Sequence, residues 1–272
     1  MHKFQNLKNE AQNRIDYHCH ILPGLDDGPA EMGESLEMAR ALAVAGFATV
    51  CCTPHRIRGV YETTPAQVRD ATRQLQGALD GAGISLNLVP GSEYYLDEFL
   101  LEHLTEPLLL PDNLLLVEVS SRAHAQFLTE TLYQVIHKGL TPLIAHPERC
   151  ELFAPENAAQ PAVVQKLLGL FGSAFNAKHK TQNSEREETS LLASLRAMGC
   201  KFQGNLGSFA GLYGERVRRQ AEDFRASGLY THYGSDLHSI RHKGILVMRD
   251  RINMDENPSP RGRGLPKAGP AR

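Results

Sequence analysis

What most restricts the fold of this chain is a repeated handover from a short apolar run to an amphipathic helix. The runs Arg14-Ile15-Asp16-Tyr17, Ala48 to Cys52, Ile84 to Val89, Leu114 to Val117 and Pro142 to Ala145 have the length of strands. Between them Met32, Leu36, Ala39 and Ala43 recur at helical spacing, as do Val68, Thr72, Leu75 and Leu79, and later Phe127, Leu128, Leu132 and Val135. Gly46 and Gly139 close the first and third of these helices, and Pro65 opens the second. After a helix from Gly214 to Ser227, Leu229 to Tyr233 gives a last strand. Strands that are apolar almost throughout belong to a parallel sheet covered by helices. The expected fold class is therefore α/β, a closed or nearly closed β/α barrel. An open doubly wound sheet meets the same periodicity, because closure leaves no mark on it.

Each strand delivers a loop that begins with an imidazole or a carboxylate. These are His18 and His20, then His55 after Thr53-Pro54, Glu93 after Pro90-Gly91-Ser92, then Glu118, His146, and Asp236 with His238. The carboxyl ends of the strands carry the active site in β/α barrels, so the groups should converge. His18 and His20, two apart on a strand, point the same way. Asp27, in the loop Leu22-Pro23-Gly24-Leu25-Asp26-Asp27-Gly28, completes the set, although its neighbour Asp26 satisfies the same spacing. Nine such groups exceed the about three protein ligands that one catalytic ion takes, which points to two or three divalent ions. Nitrogen and oxygen donors without thiolates suit manganese, iron or zinc rather than calcium. Glu118, between Val117 and Val119, is costly to bury ionised unless it bridges cations, and so is the expected bridging ligand.

Clustered cations bring bound water to a pKa of about 7, supply a hydroxide nucleophile, and clamp the oxygens of a phosphoryl group. Arg149, three residues past His146, is placed to grip that group in a bidentate fork. Cys52 to Arg58 also satisfies Cys-x5-Arg, the spacing of cysteine-dependent phosphatases. Pro54 removes one of the backbone donors such a loop needs and no glycine permits the wrap, so Cys52 is expected in the core. The five cysteines are odd in number and form no Cys-x-x-Cys pair, which argues for reduced thiols. A net charge of -2 gives no sign of the basic surface expected of a nucleic-acid binder, and no nucleic-acid partner is expected. No apolar segment resembles a signal peptide or a membrane span, so a cytoplasmic protein without membrane insertion is expected.

Taken in order, Asp16-x-His18-x-His20-Ile21-Leu22-Pro23-Gly24-x-Asp26-Asp27-Gly28, Thr53-Pro54-His55, Pro90-Gly91-Ser92-Glu93, Ala145-His146-Pro147-Glu148-Arg149, Asn205-Leu206-Gly207-Ser208 and Ser235-Asp236-x-His238-Ser239 resemble the polymerase and histidinol phosphatase (PHP) superfamily. Within it they are similar to the bacterial protein tyrosine phosphatases of capsule and exopolysaccharide systems. The resemblance implies a distorted (β/α)7, TIM-like barrel with a trinuclear, manganese-preferring site. It implies hydrolysis of phosphotyrosine on the tail of a polysaccharide-biosynthesis tyrosine kinase. It also puts His18, His20, Asp27, His55, Glu93, Glu118, His146, Asp236 and His238 at ligand positions and Arg149 at the phosphate-binding arginine.

The family's second arginine falls seven residues after Asp236, where this chain has Lys243; Arg241 lies two residues earlier. Either then serves as the second cation of the catalytic set, lysine without the fork. Two other readings remain open at this point: a histidinol-phosphate or other small phosphomonoester phosphatase, and a weakened metal-binding regulatory module. Residues 1–13 are expected to form an N-terminal extension and 14–250 a single domain with an insertion around 170–189. Residues 251–272, rich in proline, glycine and arginine, are expected to form a disordered tail. The oligomeric state leaves no signal.

Overall fold

The computed structural model describes residues 15–120, 123–154 and 191–252. The expected N-terminal extension and the insertion around 170–189 lie outside these residues, as does the tail from 253 onward. The tail's first two residues are described: Arg251 ends a helix, and Ile252 is buried.

The chain is a mixed α/β fold built on parallel sheet. Its strands are β1 (Ile15–Cys19), β2 (Thr49–Cys52), β3 (His55–Ile57), β4 (Tyr61–Glu62), β5 (Asn87–Pro90), β6 (Glu93–Leu96), β7 (Leu114–Val119), β8 (Thr141–Ala145), β9 (Lys201–Asn205) and β10 (His232–Gly234). Its helices are α1 (Met32–Val44), α2 (Pro65–Gly81), α3 (Leu100–His103), α4 (Ala125–His137), α5 (Leu191–Ala197), α6 (Leu206–Phe209), α7 (Glu215–Ala226) and α8 (Met248–Arg251). The longest, α2, starts as its sequence requires: Pro65 stands in the first turn, and Thr64 and Gln67 form a reciprocal capping box. Among the described residues no helix is long and apolar enough to cross a membrane.

The strands form two sheets, β1-β2-β5 and β10-β9-β8-β7-β6-β3-β4, parallel except for the β3-β4 hairpin. The expectation that the chain leaves the sheet at Thr53-Pro54-His55 and again at Pro90-Gly91-Ser92-Glu93 needs correcting. In both places the strand breaks and resumes, as β3 and as β6. Pro54 has no N–H for a ladder, yet its carbonyl still accepts from Glu93 N at 3.1 Å, and Gly91 N donates to Cys52 O at 2.9 Å. The far edges also meet, where Asp236 N donates to His18 O at 2.7 Å and His20 N to Leu237 O at 3.1 Å. This approach is tight enough to need glycine at 234, where a Cβ would come within 2.5 Å of His18 Cβ.

Alternation along the strands sorts the core into two parts. Leu115 and Val117 of β7 and Ile144 of β8 join the large cluster that includes Met38, Leu42, Val68, Leu75, Leu128 and Leu132 from the helices. Leu114 and Leu116, Leu143 and Ala145, and Cys51 form a second cluster without helical residues, against which Ile15, Tyr17 and Val89 pack. This smaller cluster is the apolar floor below the strand ends that carry the candidate ligands.

Candidate metal centre

Three of the expected groups keep the parity of the floor residues, Glu118 within one strand and His55 and Glu93 across the breaks before β3 and β6. Counting upward in twos, the floor residue Cys51 leads to His55, Val89 leads to Glu93, and Leu116 leads to Glu118. The others need a local rearrangement. A register irregularity between Asp16 and Cys19 separates the floor residues Ile15 and Tyr17 from His18 and His20, which have the opposite parity. His146 follows Ala145 of the floor and would fall on the helix side, but its φ of 29° re-aims it; Asp236 has a φ of 52°. Non-glycine residues rarely adopt such angles, and they concentrate where function fixes the backbone.

Among the described residues, four groups bring ligand atoms within 4.8 Å of one another: His20, Asp27, His55 and His238; His18, His20 and Asp236; His18, Glu93 and His146; and His55, Glu93 and Glu118. Together they contain all nine residues expected from the strand ends. The carboxylate at the centre is Glu93 rather than Glu118. Its Oε2 lies 3.0 Å from His55 Nδ1, 3.2 Å from His18 Nε2 and 3.3 Å from His20 Nε2, and its Oε1 lies 3.1 Å from His146 Nε2. Glu118, near the end of β7 and part-exposed, stands 3.9 Å from His55 and from His146.

This donor set fits divalent cations. Glu93 Oε2 and His55 Nδ1 are buried without a hydrogen-bond partner although they face each other, and His18 Nε2 and His20 Nε2 are only 3.1 Å apart. Ring nitrogens crowded against each other and against carboxylate oxygens need a shared positive charge. The same demand shows in the protonation balance. Burial pushes the His18 imidazole down, but Glu93 and Asp236 outweigh it and bring it up to about 9. Burial, then the Glu93 charge, lifts the Glu118 carboxyl to about 7. Cations meet that demand while taking the imidazoles as neutral ligands.

The two neighbouring aspartates differ in what they touch. Asp26 is turned inward: its Oδ2 lies 2.7 Å from His20 Nδ1 and accepts from His55 N at 2.9 Å, and its Oδ1 accepts from Gly28 N at 3.0 Å. Asp27 is half-exposed, and its Oδ1 stands 3.4 Å from His238 Nε2 and 3.6 Å from His55 Nε2. Asp26 thus contacts His20 on the ring nitrogen turned away from the cluster, and Asp27 stands among the candidate ligands. Gln203 Oε1 lies 3.0 Å from His18 Nδ1 and accepts from His146 N at 3.3 Å. Neither contact was assigned from sequence; a polar residue buried in the strand of Phe202 was the available signal for Gln203.

Arg149 reaches the cluster from the turn after His146. Its Nη1 donates to Asp236 Oδ2 at 2.7 Å, and its guanidinium lies over the Tyr213 ring at 4.4 Å. Asn205 Nδ2 donates to the same Oδ2 at 2.7 Å. Glu148, buried beside Arg149, accepts from Asn205 N at 3.0 Å and from the Tyr230 hydroxyl at 2.8 Å, pinning this turn to the end of β9. Asp27, His55, Glu118, His146, Asp236 and His238 open with Arg149 on a cavity of about 320 Å³, and Glu118, His146 and Arg149 also border a second one of about 410 Å³ with Tyr95, Val119 and Arg216. Lys243 is not among the walls of either; it lines a separate groove with Glu37 and Arg40, while Arg241 is exposed and its neighbour His242 faces the first cavity. The Cys-x5-Arg spacing builds nothing: Cys52 is buried with its thiol pushed up by desolvation, and Arg58 pairs with Glu102 at 2.6 Å.

The model of the capsular polysaccharide synthesis family CpsB/CapC matches residues 14–167. The chain belongs to this family. Among CpsB/CapC relatives, tyrosine-protein phosphatase YwqE of Bacillus subtilis is 32% identical over 231 residues, which are 84% of this chain and 78% of YwqE. A solved structure described as one of the metal-dependent tyrosine phosphatases YwqE from Bacillus subtilis and CpsB from Streptococcus pneumoniae superposes with a TM-score of 0.67. It is 30% identical, and the match covers 87% of this chain and 86% of that one. Histidinol phosphate phosphatase of Lactococcus lactis, solved with zinc, L-histidinol and phosphate, has a TM-score of 0.53 at 13% identity, covering 90% of this chain and 94% of that one. That likeness is one of fold.

Proposed function

We propose that this chain is a metal-dependent phosphatase that hydrolyses phosphotyrosine on a protein, its substrate being the tail of a bacterial tyrosine kinase of polysaccharide biosynthesis. The observation that carries this reading is the joining of the nine-donor cluster to Arg149 through Asp236, in a chain 32% identical to a tyrosine-protein phosphatase. In this reading His20, Asp27, His55 and His238 hold one divalent ion, and His18 with Asp236 faces a second. Glu93, with His146 and Glu118 beside it, serves a third. Manganese is the proposed metal, ahead of iron and zinc. Such ions acidify coordinated water towards neutrality and neutralise phosphoryl oxygens.

The chain's own residues supply the rest. Arg149 grips non-bridging phosphoryl oxygens and steadies the charge that grows on them, held in place by Asp236 and the Tyr213 face. Asp26 and Gln203 fix the ring orientation of His20 and His18 through the nitrogens turned away from the cluster. The proposal for the scaffold is a single domain over 14–250 that closes as a distorted (β/α)7 barrel. β2 with β3 and β5 with β6 would each count as one kinked strand, and the backbone bonds between His18, His20, Asp236 and Leu237 support closure. Cytoplasmic residence belongs to the same proposal.

The test uses the full chain stripped with chelator and reloaded with manganese, zinc or iron. Phosphate release is measured from a phosphotyrosyl peptide, a phosphoseryl peptide and histidinol phosphate. The expected result is metal-restored release from the phosphotyrosyl peptide. Turnover of histidinol phosphate with none of the peptide would overturn it.

A further inference from the structure

The cavity has one wall that the donors and Arg149 do not explain. Leu212 and Ile245 line it, with His242 at their edge. Leu212 is 44% exposed, a large aliphatic side chain left open to water in a cavity otherwise lined largely by charged and polar groups. An apolar group set among charges at the mouth of a site gives a ligand a place to bury a hydrocarbon part.

The position of Leu212 is built by its surroundings. Leu212 N donates to Gly207 O at 2.9 Å, folding the turn after α6 back on itself. A Cβ at Gly207 would come within 3.0 Å of Tyr213 Cε2 and 3.4 Å of Leu212 Cδ2, so the glycine lets both side chains close down on the end of β9. Tyr213 then carries the guanidinium of Arg149 on its face. The residue that steadies the phosphate-gripping arginine and the residue that presents the apolar surface are thus consecutive in one turn.

We infer that Leu212 and Ile245 receive the aromatic ring of the leaving group and set a preference for aryl over alkyl phosphomonoesters; this rests on the phosphatase reading. In this reading the phosphoryl group is held between Arg149 and the donor cluster and the ester substituent turns into the cavity of Leu212, rather than the neighbouring one that Arg149 shares with Tyr95 and Val119; exposed Leu212 supplies the aliphatic surface, with Ile245, a buried core residue, behind it. An aryl ring covers branched aliphatic groups and removes them from water. A short alkyl ester covers much less of that area, and a serine phosphate loses the contact.

The test compares binding of phenylphosphonate and methylphosphonate by calorimetry in the metal-loaded wild type and in Leu212→Ala, a part-exposed position whose truncation leaves the core intact. Hydrolysis of phosphotyrosyl and phosphoseryl peptides is followed in the same preparations. Leu212→Ala is expected to weaken phenylphosphonate by about fivefold, leave methylphosphonate unchanged, and lower kcat/KM for the phosphotyrosyl peptide by a similar factor. Leu212→Met, which keeps the apolar area, is expected to restore the preference. Phenylphosphonate affinity unchanged by Leu212→Ala, or equal weakening of both phosphonates, would overturn the assignment. A wild type that prefers phenylphosphonate but hydrolyses no phosphomonoester would refute the phosphatase reading instead.

Discussion

Arg149 and Asp236 tie the two halves of the site together: Arg149 Nη1 donates to Asp236 Oδ2 at 2.7 Å, while Oδ1 of the same carboxylate lies 3.3 Å from His18 Nε2. The arginine touches the cluster without offering it a ligand atom. Arg149→Ala should therefore keep its metal and lose about a hundredfold to a thousandfold in kcat, the scale of removing one charge-stabilising donor. Elemental analysis beside turnover separates the two effects. Metal lost in proportion to activity would reassign Arg149 to holding Asp236.

Chelation should reach further than activity. The buried carboxylates Glu93 and Asp236 sit against three or more imidazoles whose crowding a cation relieves. Ions held at about a hundred times their dissociation constant stabilise a fold by about 2.7 kcal/mol, a shift of several degrees in Tm for a domain of this size. Melting curves before and after chelation, and after adding manganese back, measure it. Identical curves would mean that the cluster is stable without metal.

Asp26 provides a test of orientation as distinct from ligation. Asp26→Asn keeps a side chain of the same shape but removes the charge beside His20 Nδ1, so metal affinity should fall by about tenfold to a hundredfold with the fold intact. Competitive titration against a chelating dye reads this directly. Asp27→Asn, at the half-exposed neighbour, should weaken binding without disturbing His55 N, which bonds to Asp26.

The way the strands carry these residues explains what sequence could and could not show. Glu118 continues the alternation of Leu116 within one strand, so period was enough to place it; His55 and Glu93 keep the parity of Cys51 and Val89 only across a break, so it was their residue types after Thr53-Pro54 and Gly91-Ser92 that marked them. His18, His20, His146 and Asp236 reach the cluster through a register irregularity or a positive φ, which pattern cannot show; only their residue types gave them away. The choice between Asp26 and Asp27 turned on which side chain folds back on the backbone of Gly28 and His55, a tertiary fact. The resumption of β3 and β6 was hidden because Pro54 and Gly91 look like terminators, whereas here they interrupt a ladder that neighbouring carbonyls continue.

Lys243 carries an expectation that the geometry turns elsewhere. It lines the groove beside α1 with Glu37 and Arg40, away from the cavity of Arg149. Lys243→Ala is expected to leave kcat/KM for a phosphotyrosyl peptide within about twofold, the scale of an exposed charge away from the reaction. His242→Ala, at the cavity edge, should raise KM more. A large loss in Lys243→Ala alone would return the second phosphate contact to that lysine.

His232 makes acid sensitivity measurable away from the metal cluster. It opens β10 with its ring edge-on to Tyr17 at 4.5 Å, and burial, reinforced by Lys201, depresses its imidazole from 6.5 to about 4. The unfolded chain therefore takes up this proton at a higher pH than the folded one. Its contribution is fully present above pH 6.5 and is lost as pH falls from there towards 4, amounting to at most about 2 kcal/mol at pH 5. His232→Phe keeps the ring contact and removes the proton. Tm of wild type and variant, followed from pH 7.5 to pH 5 on chelated protein, should show the wild type falling relative to the variant as pH falls, because only the wild type carries this penalty. Parallel curves would show that His232 titrates normally in the folded chain.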